Sequence, residues 1–334
     1  MKHHSTHKTI KSMKKINVAI IGIGHLGSRH LKVYSELNKL VNLVGVCDVK
    51  EDRTERLARH YCVAFYEDYR ELAGKVDAVN ICVPTTLHHE IGKFFLENNI
   101  HTFIEKPITM DVTQADELIA LAQKNNLKLQ VGHVERFNSA FMAIKHFTKH
   151  PLFIECHRLN KFPNRSLDIG VVMDLMIHDL DIILGVNNSP IKDFHAVGIN
   201  VLTDMEDIAS VRVVFENGCV CNLTASRVSD EVMRKIRIFT VDSYISLDYV
   251  KQEAYIYRKH GDLISKHALP IQKEEPLKEE LKSFIECVRD DKPPLVSGVE
   301  GRNAVKLALE ICASIKTSQN QIAQRIKMAA LPQE

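Results

Sequence analysis

The chain predicts two folds in succession: an α/β half built on a parallel sheet, then an α+β half built on an open, largely antiparallel sheet. Three observations carry this. From residue 16 to residue 131, short and nearly continuous apolar runs alternate with patterns of helical period, as in a parallel sheet covered on both faces. From about residue 139 the apolar runs follow one another across short turns such as Glu216-Asn217-Gly218, as in hairpin-linked strands. A length of 334 residues with 45% hydrophobic content suits about two domains, each with a core of its own.

In the first half, Ile16–Ile21 is a strand, and Leu26, Val33, Tyr34, Leu37 and Leu40 then recur at helical spacing. Residues 41–47 form a second strand that ends on Asp48. A helix is predicted at 51–61, a short strand at 62–66, a helix at 67–74 and a buried strand at 78–83. A helix around 89–98, a strand at 101–105, a helix at 113–124 and a strand at 127–131 complete the alternation.

Between the first strand and the first helix, Gly22-Ile23-Gly24-His25-Leu26-Gly27 has the spacing G-x-G-x-x-G. Gly22 permits a tight turn, Gly24 lets the backbone approach a pyrophosphate, and Gly27 lets the helix pack close with its N-terminus toward the phosphates. Glycine patterns this short arise by chance, so the context supplies the weight: strand before, helix after, and Asp48 placed 21 residues beyond Gly27. A carboxylate there accepts from the adenosine ribose hydroxyls and repels a 2′-phosphate, which predicts a Rossmann-type site for NAD in preference to NADP. The alternative is that Asp48 only caps the helix starting near Glu51, and Lys50 and Arg53 lie close enough to blur the cofactor choice.

Ligands of such sheets gather at the carboxyl ends of the strands. Those ends carry Val83-Pro84-Thr85-Thr86-Leu87-His88, Glu105-Lys106-Pro107 and Gly132-His133-Val134-Glu135-Arg136-Phe137-Asn138. Loops are polar in any case. Lys106 stands out because it leaves a buried strand beside a proline that fixes the turn, holding its ammonium at the cofactor end. Val83, Pro84, Thr85, His88 and Glu105 are expected beside the cofactor with it.

In the second half, strands are predicted at 152–158, 193–201, 208–215, 219–226, 235–241, 245–250 and 254–257, with structural helices at 276–289 and 301–318. Before most of them lies a helical run from Val171 to Leu184. At about 100° per residue, Asp174, His178 and Asp181 fall within about 60° of one another on one face. The rest of that helix is apolar and therefore buried, so the polar line is either paired or faces a cavity. A structural Asp–His pair is one reading and a proton-transfer site is the other. No metal is expected, because no second His/Asp pair has ligand spacing. Arg158, Lys161, Arg165 and Asp168, with Arg227, Arg234 and Lys235 further on, hint at a phosphorylated substrate, although most charged residues are simply solvated.

Lys+Arg of 44 against Asp+Glu of 42 gives no reason to expect nucleic acid or an anionic membrane as a partner. The eight cysteines lack C-x-x-C spacing and sit mostly in strand-like runs, as reduced core residues of a cytoplasmic protein do. Residues 1–14, with His3, His4, His7 and several lysines, read as a disordered lead-in, since the apolar run behind them is too short for a signal peptide. No stretch reaches the ~18 apolar residues of a membrane span. The exposed face of the second sheet predicts association, most simply a homodimer or homotetramer.

With these motifs in place, the sequence resembles the Gfo/Idh/MocA family of nicotinamide-dependent sugar and polyol oxidoreductases along nearly its whole length. The glycine turn with Asp48, Glu105-Lys106-Pro107, and Asp174-x-x-x-His178 with Asp181 carry the resemblance. It implies a Rossmann domain over 15–137 and a substrate-binding and oligomerisation domain over 138–334. It also implies hydride transfer between a secondary hydroxyl carbon and NAD, with Lys106, His178 and Asp174 catalytic. His178 or Lys106 is the base, the two roles being exchanged within the family, and Asp174 orients His178 or holds a neighbouring hydroxyl. Residues 132–138, 168–172 and 174–181 look like those of the subgroup described as UDP-N-acetylglucosamine 3-dehydrogenases. That likeness implies a nucleotide sugar oxidised to its 3-keto form, with Arg136, Asn138, Arg158, Arg165, Asp168 and Asp181 on the substrate side. A free sugar or polyol is the alternative substrate, and a non-catalytic dinucleotide-binding regulator the alternative class.

Overall fold

The alternation in the first half folds as a parallel sheet, in a computed structural model that describes residues 14–162 and 169–329. The expected lead-in, apart from Lys14, and the candidate substrate residues Arg165 and Asp168 lie outside the described residues. In order come β1 (Ile16–Ile21), α1 (His25–Glu36), β2 (Val41–Cys47), α2 (Glu51–Tyr61), β3 (Ala64–Tyr66), β4 (Ala78–Ile81), α3 (His88–Glu97), β5 (His101–Glu105), α4 (Val112–Lys124) and β6 (Leu129–Gly132). The six strands are all parallel, in the order β3-β2-β1-β4-β5-β6. The order reverses between β1 and β4, so their carboxyl ends open a crevice, and the glycine turn sits at its lip.

Two elements of the first half depart from expectation for identifiable local reasons. Cys62 takes a left-handed φ of 55° and closes α2 with its N–H on the carbonyls of Ala58 and Arg59, so the strand after it begins at Ala64. The helix expected at 67–74 is a single 3-10 turn, Tyr69–Leu72, capped by the Asp68 side chain on the Arg70 N–H. Only Leu72 of that turn is buried, which leaves no apolar face for a longer helix to cover.

The second half adds α5 (Ser139–Ile144), β7 (Phe153–Leu159), a π-helical turn (Val172–Met176), α6 (Ile177–Val186), β8 (Ile191–Ile199), β9 (Ile208–Phe215), β10 (Val220–Ser226), β11 (Met233–Phe239), β12 (Ser243–Asp248), β13 (Glu253–His260), β14 (Leu263–Ala268), α7 (Pro276–Asp290) and α8 (Gly298–Ala329). Eight strands form one open sheet in the order β14-β13-β12-β11-β7-β10-β9-β8. Every pair is antiparallel except β7 with β10. β14 escaped the sequence reading because it is an edge strand, mostly exposed and without alternation, reached through a turn at Gly261 with φ +62°.

One apolar core runs from Ile104 and Val131 under the first sheet to Ile154, Cys156 and Val211 on the inner face of the second, with α6 and α8 filling the space between. α7 returns to the first sheet, where Leu277, Leu281 and Phe284 pack with Leu31, Tyr34 and Phe103. Each such large apolar side chain contributes about 1.5–3 kcal/mol when buried, so the cleft between the sheets has a packed wall on either side. Among the described residues no helix is long and apolar enough to cross a membrane.

Candidate active site

Steric demand shapes the glycine turn. Gly22 has φ +88°, and a Cβ there would stand 2.8 Å from the carbonyl of Cys82. A Cβ on Gly27 would stand 1.8 Å from the Gly22 carbonyl oxygen, so α1 can return this close to β1 only with glycine. On the Cβ side of Gly24 nothing lies within 4 Å, and no side chain caps α1. Open space over the backbone at an uncapped helix start is the cradle that a pyrophosphate fits. Asp48 accepts from the Ile23 N–H at 2.6 Å and the Lys50 N–H at 2.9 Å, which ties the end of β2 to the turn. No side chain caps α2, so Asp48 serves the turn and is not that helix's cap. A cavity of about 370 Å³ opens here, lined by Gly22, Gly24, Asp48, Arg53, Val83 and Pro84.

Two expected cofactor residues are placed differently. His88 is buried, with ring nitrogens 2.8 and 2.9 Å from the carbonyl oxygens of Pro107 and Val83. It staples the loops after β4 and β5, and its ring has no edge left for a ligand. Thr85 opens the 3-10 turn Thr85–Leu87 outside the lining of the cavity, which Pro84 and Leu87 reach. His25 and Leu26 begin α1, with Leu26 facing a second cavity.

That second cavity, of about 360 Å³, lies beyond the end of β5 and is lined by Leu26, Glu105, Lys106, His178, Arg234 and Tyr249 among others. The Lys106 ammonium donates to the Asp174 carbonyl at 2.6 Å and to its carboxylate at 3.1 Å, joining the two halves of the molecule across the cleft. Asp174 sits in the π-helical turn, whose wider loop presents both its carbonyl and its carboxylate to Lys106. Glu206 accepts the Val172 N–H at the start of that turn, close over Gly170, where a Cβ would meet the carboxylate at 1.9 Å.

His178 lies in the first turn of α6. Burial pushes its ring well below the usual imidazole range, and Lys106, Arg158, His133 and Arg234 push it further, so it is neutral near pH 7. Its Nδ1 is buried without a partner among the described residues. His133 meets it edge to face, ring centroids 6.2 Å apart, and is itself lowered chiefly by burial.

The shared face of Asp174, His178 and Asp181 is corrected. Asp174 engages Lys106, whereas Asp181 turns away and holds Arg136 through bonds of 2.6 and 2.9 Å. The π-helical turn that carries Asp174 breaks the regular 100° step on which the shared face rests, and Arg136 captures Asp181. The substrate roles expected for Arg136 and Arg158 meet the same difficulty. Arg136 adds a bond to the Asp181 carbonyl, and Gly185 leaves its guanidinium the room it needs. Arg158, 2% exposed, donates to both oxygens of Asp179 and to Glu135, so its fork is occupied. Asn138 caps α5 through the Ala140 N–H and donates to the Tyr249 carbonyl, and it is among the residues that line the cavity. The two arginines are braces, fixed by the need of buried charge for a partner.

Sequence reasoning also missed a buried polar chain behind Lys106. Tyr34 donates to Asn80 at 2.7 Å, Asn80 to His30 Nδ1 at 3.1 Å, and His30 Nε2–H to Glu105 at 2.9 Å. Glu105 in turn accepts the Lys106 N–H at 3.3 Å. The available signal was Asn80, a polar residue in the middle of an otherwise apolar strand, and the i, i+4 spacing of His30 and Tyr34.

Comparison with known proteins agrees with this geometry. Residues 16–133 match the family model described as "Oxidoreductase family, NAD-binding Rossmann fold", and residues 130–242 match "GFO/IDH/MocA C-terminal domain". The chain is similar to the UDP-N-acetylglucosamine 3-dehydrogenase of Acidithiobacillus ferrooxidans, 33% identical over 311 residues that cover 91% of this chain and 98% of that one. A solved structure of that dehydrogenase superposes with a TM-score of 0.87 at 34% identity, covering 91% of this chain and 99% of the other. The chain is also 27% identical to the myo-inositol 2-dehydrogenase of Thermotoga maritima, over 91% of this chain and 98% of that one. A levoglucosan dehydrogenase solved with NADH and levoglucosan shares the fold, with a TM-score of 0.83 at 17% identity over 91% of this chain and 98% of that one. The chain belongs to the Gfo/Idh/MocA oxidoreductases, a family of NAD(P)-dependent sugar dehydrogenases.

Proposed function

We propose that the protein oxidises a secondary hydroxyl of a sugar carried on a nucleotide, of the UDP-N-acetylglucosamine kind, with NAD preferred over NADP. The observation that carries the reading is the meeting of Lys106 and His178 in one cavity beside the dinucleotide crevice. Acceptance of a hydride from the carbinol carbon is the chemistry a bound NAD supplies. The chain's own task is to hold the hydroxyl and move its proton. Lys106 has three donors, of which two are on Asp174, and the third is left for the reacting oxygen and its developing negative charge. Burial keeps His178 neutral, so it takes the hydroxyl proton as the base. Asp174 in this reading positions Lys106, not His178. Asp48 favours NAD through the ribose hydroxyls, and Arg53 on the same cavity wall moderates the preference.

Similarity to a UDP-N-acetylglucosamine 3-dehydrogenase over nearly the whole chain supports the nucleotide sugar. The likeness to a myo-inositol 2-dehydrogenase favours a free polyol as the second reading. All eight cysteines are free thiols, which suits a cytoplasmic location. The outward ladder of Phe153, Phe239, Tyr244 and Tyr257 on the second sheet suits association of copies into a homodimer or homotetramer. Incubation with NAD and, separately, UDP-N-acetylglucosamine, free N-acetylglucosamine and inositol tests the function. Reduced nicotinamide should accumulate fastest with the nucleotide sugar. Equal or faster reduction with inositol selects the second reading, and no reduction with any of them favours a regulator.

A further inference from the structure

The cavity that holds Lys106 and His178 is also lined by a cation, Arg234, that forms no ion pair among the described residues. Arg234 on β11 stands directly opposite Arg158 on β7 in the sheet register. Like charges placed opposite one another on neighbouring strands repel. Arg158 is neutralised twice, by Asp179 and by Glu135. Arg234 has no ion pair among the described residues, and its Nε is buried without a hydrogen-bond partner. Burial, and after it the neighbouring Arg158, lowers its pKa. The nearby acids are already engaged: Asp179 and Glu135 by Arg158, and Asp174 by Lys106. A half-buried guanidinium in this position is unfavourable until an anion meets it.

A second group in the same cavity points the same way. Tyr249 is 4% exposed, yet its hydroxyl lacks a partner among the described residues. Burial pushes its phenol well up, so it stays neutral and able to donate. A two-pronged guanidinium and a phenolic hydroxyl lining one cavity suit a phosphate, which presents several charged oxygens at once.

We propose that Arg234 and Tyr249 bind the phosphate carried on the anomeric oxygen of the substrate sugar, with the sugar ring between them and the Lys106–His178 pair. The proposal rests on the dehydrogenase reading above and deepens it. It assigns substrate recognition to Arg234, and not to Arg136 or Arg158, and the ligand class is a glycosyl phosphate, either a nucleoside diphosphate sugar or a simple sugar 1-phosphate.

The test is calorimetric titration of the protein loaded with NADH, so that no turnover intervenes, by N-acetylglucosamine, N-acetylglucosamine 1-phosphate and UDP-N-acetylglucosamine. The parent is expected to bind both phosphorylated ligands at least about tenfold more tightly than the free sugar. Arg234→Gln should remove that preference, and Arg234→Lys, which keeps the charge but loses the fork, should retain part of it. Should Arg234→Gln fail to fold, Arg234→Lys and Tyr249→Phe are each expected to lower the preference several-fold. Equal binding of the two phosphorylated ligands identifies the anomeric phosphate as the group recognised. Tighter binding of the UDP form adds contacts to the rest of the nucleotide. A parent with no preference, or an Arg234→Gln protein that keeps it, overturns the proposal. A parent that shows the preference but reduces no NAD with any sugar keeps the anion site and removes the dehydrogenase. Turnover of free sugar without any preference does the reverse.

Discussion

The two sides of the cleft are built by different physics. On the dinucleotide side, shape comes from backbone: glycines placed where a Cβ would collide, a helix start left uncapped, and one carboxylate tied to two main-chain N–H groups. On the substrate side, shape comes from buried charge: Arg136 with Asp181, Arg158 with Asp179 and Glu135, Lys106 with Asp174, and Arg234 with none among the described residues. The first kind of site depends on main-chain geometry that the glycine spacing itself announces. The second depends on partners up to 68 residues apart, as between Lys106 and Asp174.

The contrast can be broken most severely at Arg158. Arg158→Met leaves Glu135 and Asp179 buried without their cation, and a loss of about 3–5 kcal/mol is expected in denaturant unfolding. A loss within 1 kcal/mol would mean, on the order of magnitude set by exposed pairs, that the charge braces are incidental. On the backbone side, Gly27→Ala pushes a methyl into the Gly22 carbonyl and should cost about 1–3 kcal/mol, with at least tenfold weaker NAD binding by titration. Unchanged cofactor affinity in that variant would show that the turn relaxes freely.

The smallest effect is one of pH. The ring of His178 is held well below its unfolded value of about 6.5, so as pH falls below that value the unfolded chain binds a proton that the folded chain does not. Stability contributed by the neutral ring is therefore present above pH ~6.5 and lost below it, by up to about 1.4 kcal/mol per pH unit. His178→Asn should flatten the stability profile between about pH 7 and 5. The acid limb of activity should likewise fall below pH ~6.5, because protonation of His178 would remove the base proposed for the reaction. An acid limb above that value would assign the base elsewhere.

The same contrast explains what the sequence made legible. The parallel alternation, the glycine turn, Asp48 and Lys106 were readable because each is a local pattern with a steric or electrostatic reason of its own. The face carrying Asp174, His178 and Asp181 was readable only in part, since a regular helical wheel contains neither the π-helical turn nor the Arg136 that captures Asp181. The arginines were visible as a cluster, but which of them had carboxylate partners depended on packing between β7, β11 and α6. β14 was lost because an edge strand has no buried face to impose alternation.

The measurement that bears most directly on the cleft is paired: NAD affinity and turnover of UDP-N-acetylglucosamine for Lys106→Met and His178→Ala beside the parent. If the two sides are separable as described, NAD affinity stays within a few-fold while turnover falls by about 10²–10⁴ in each variant. Turnover within a few-fold of the parent in both would leave a dinucleotide-binding fold and take away the proton transfer assigned to this pair.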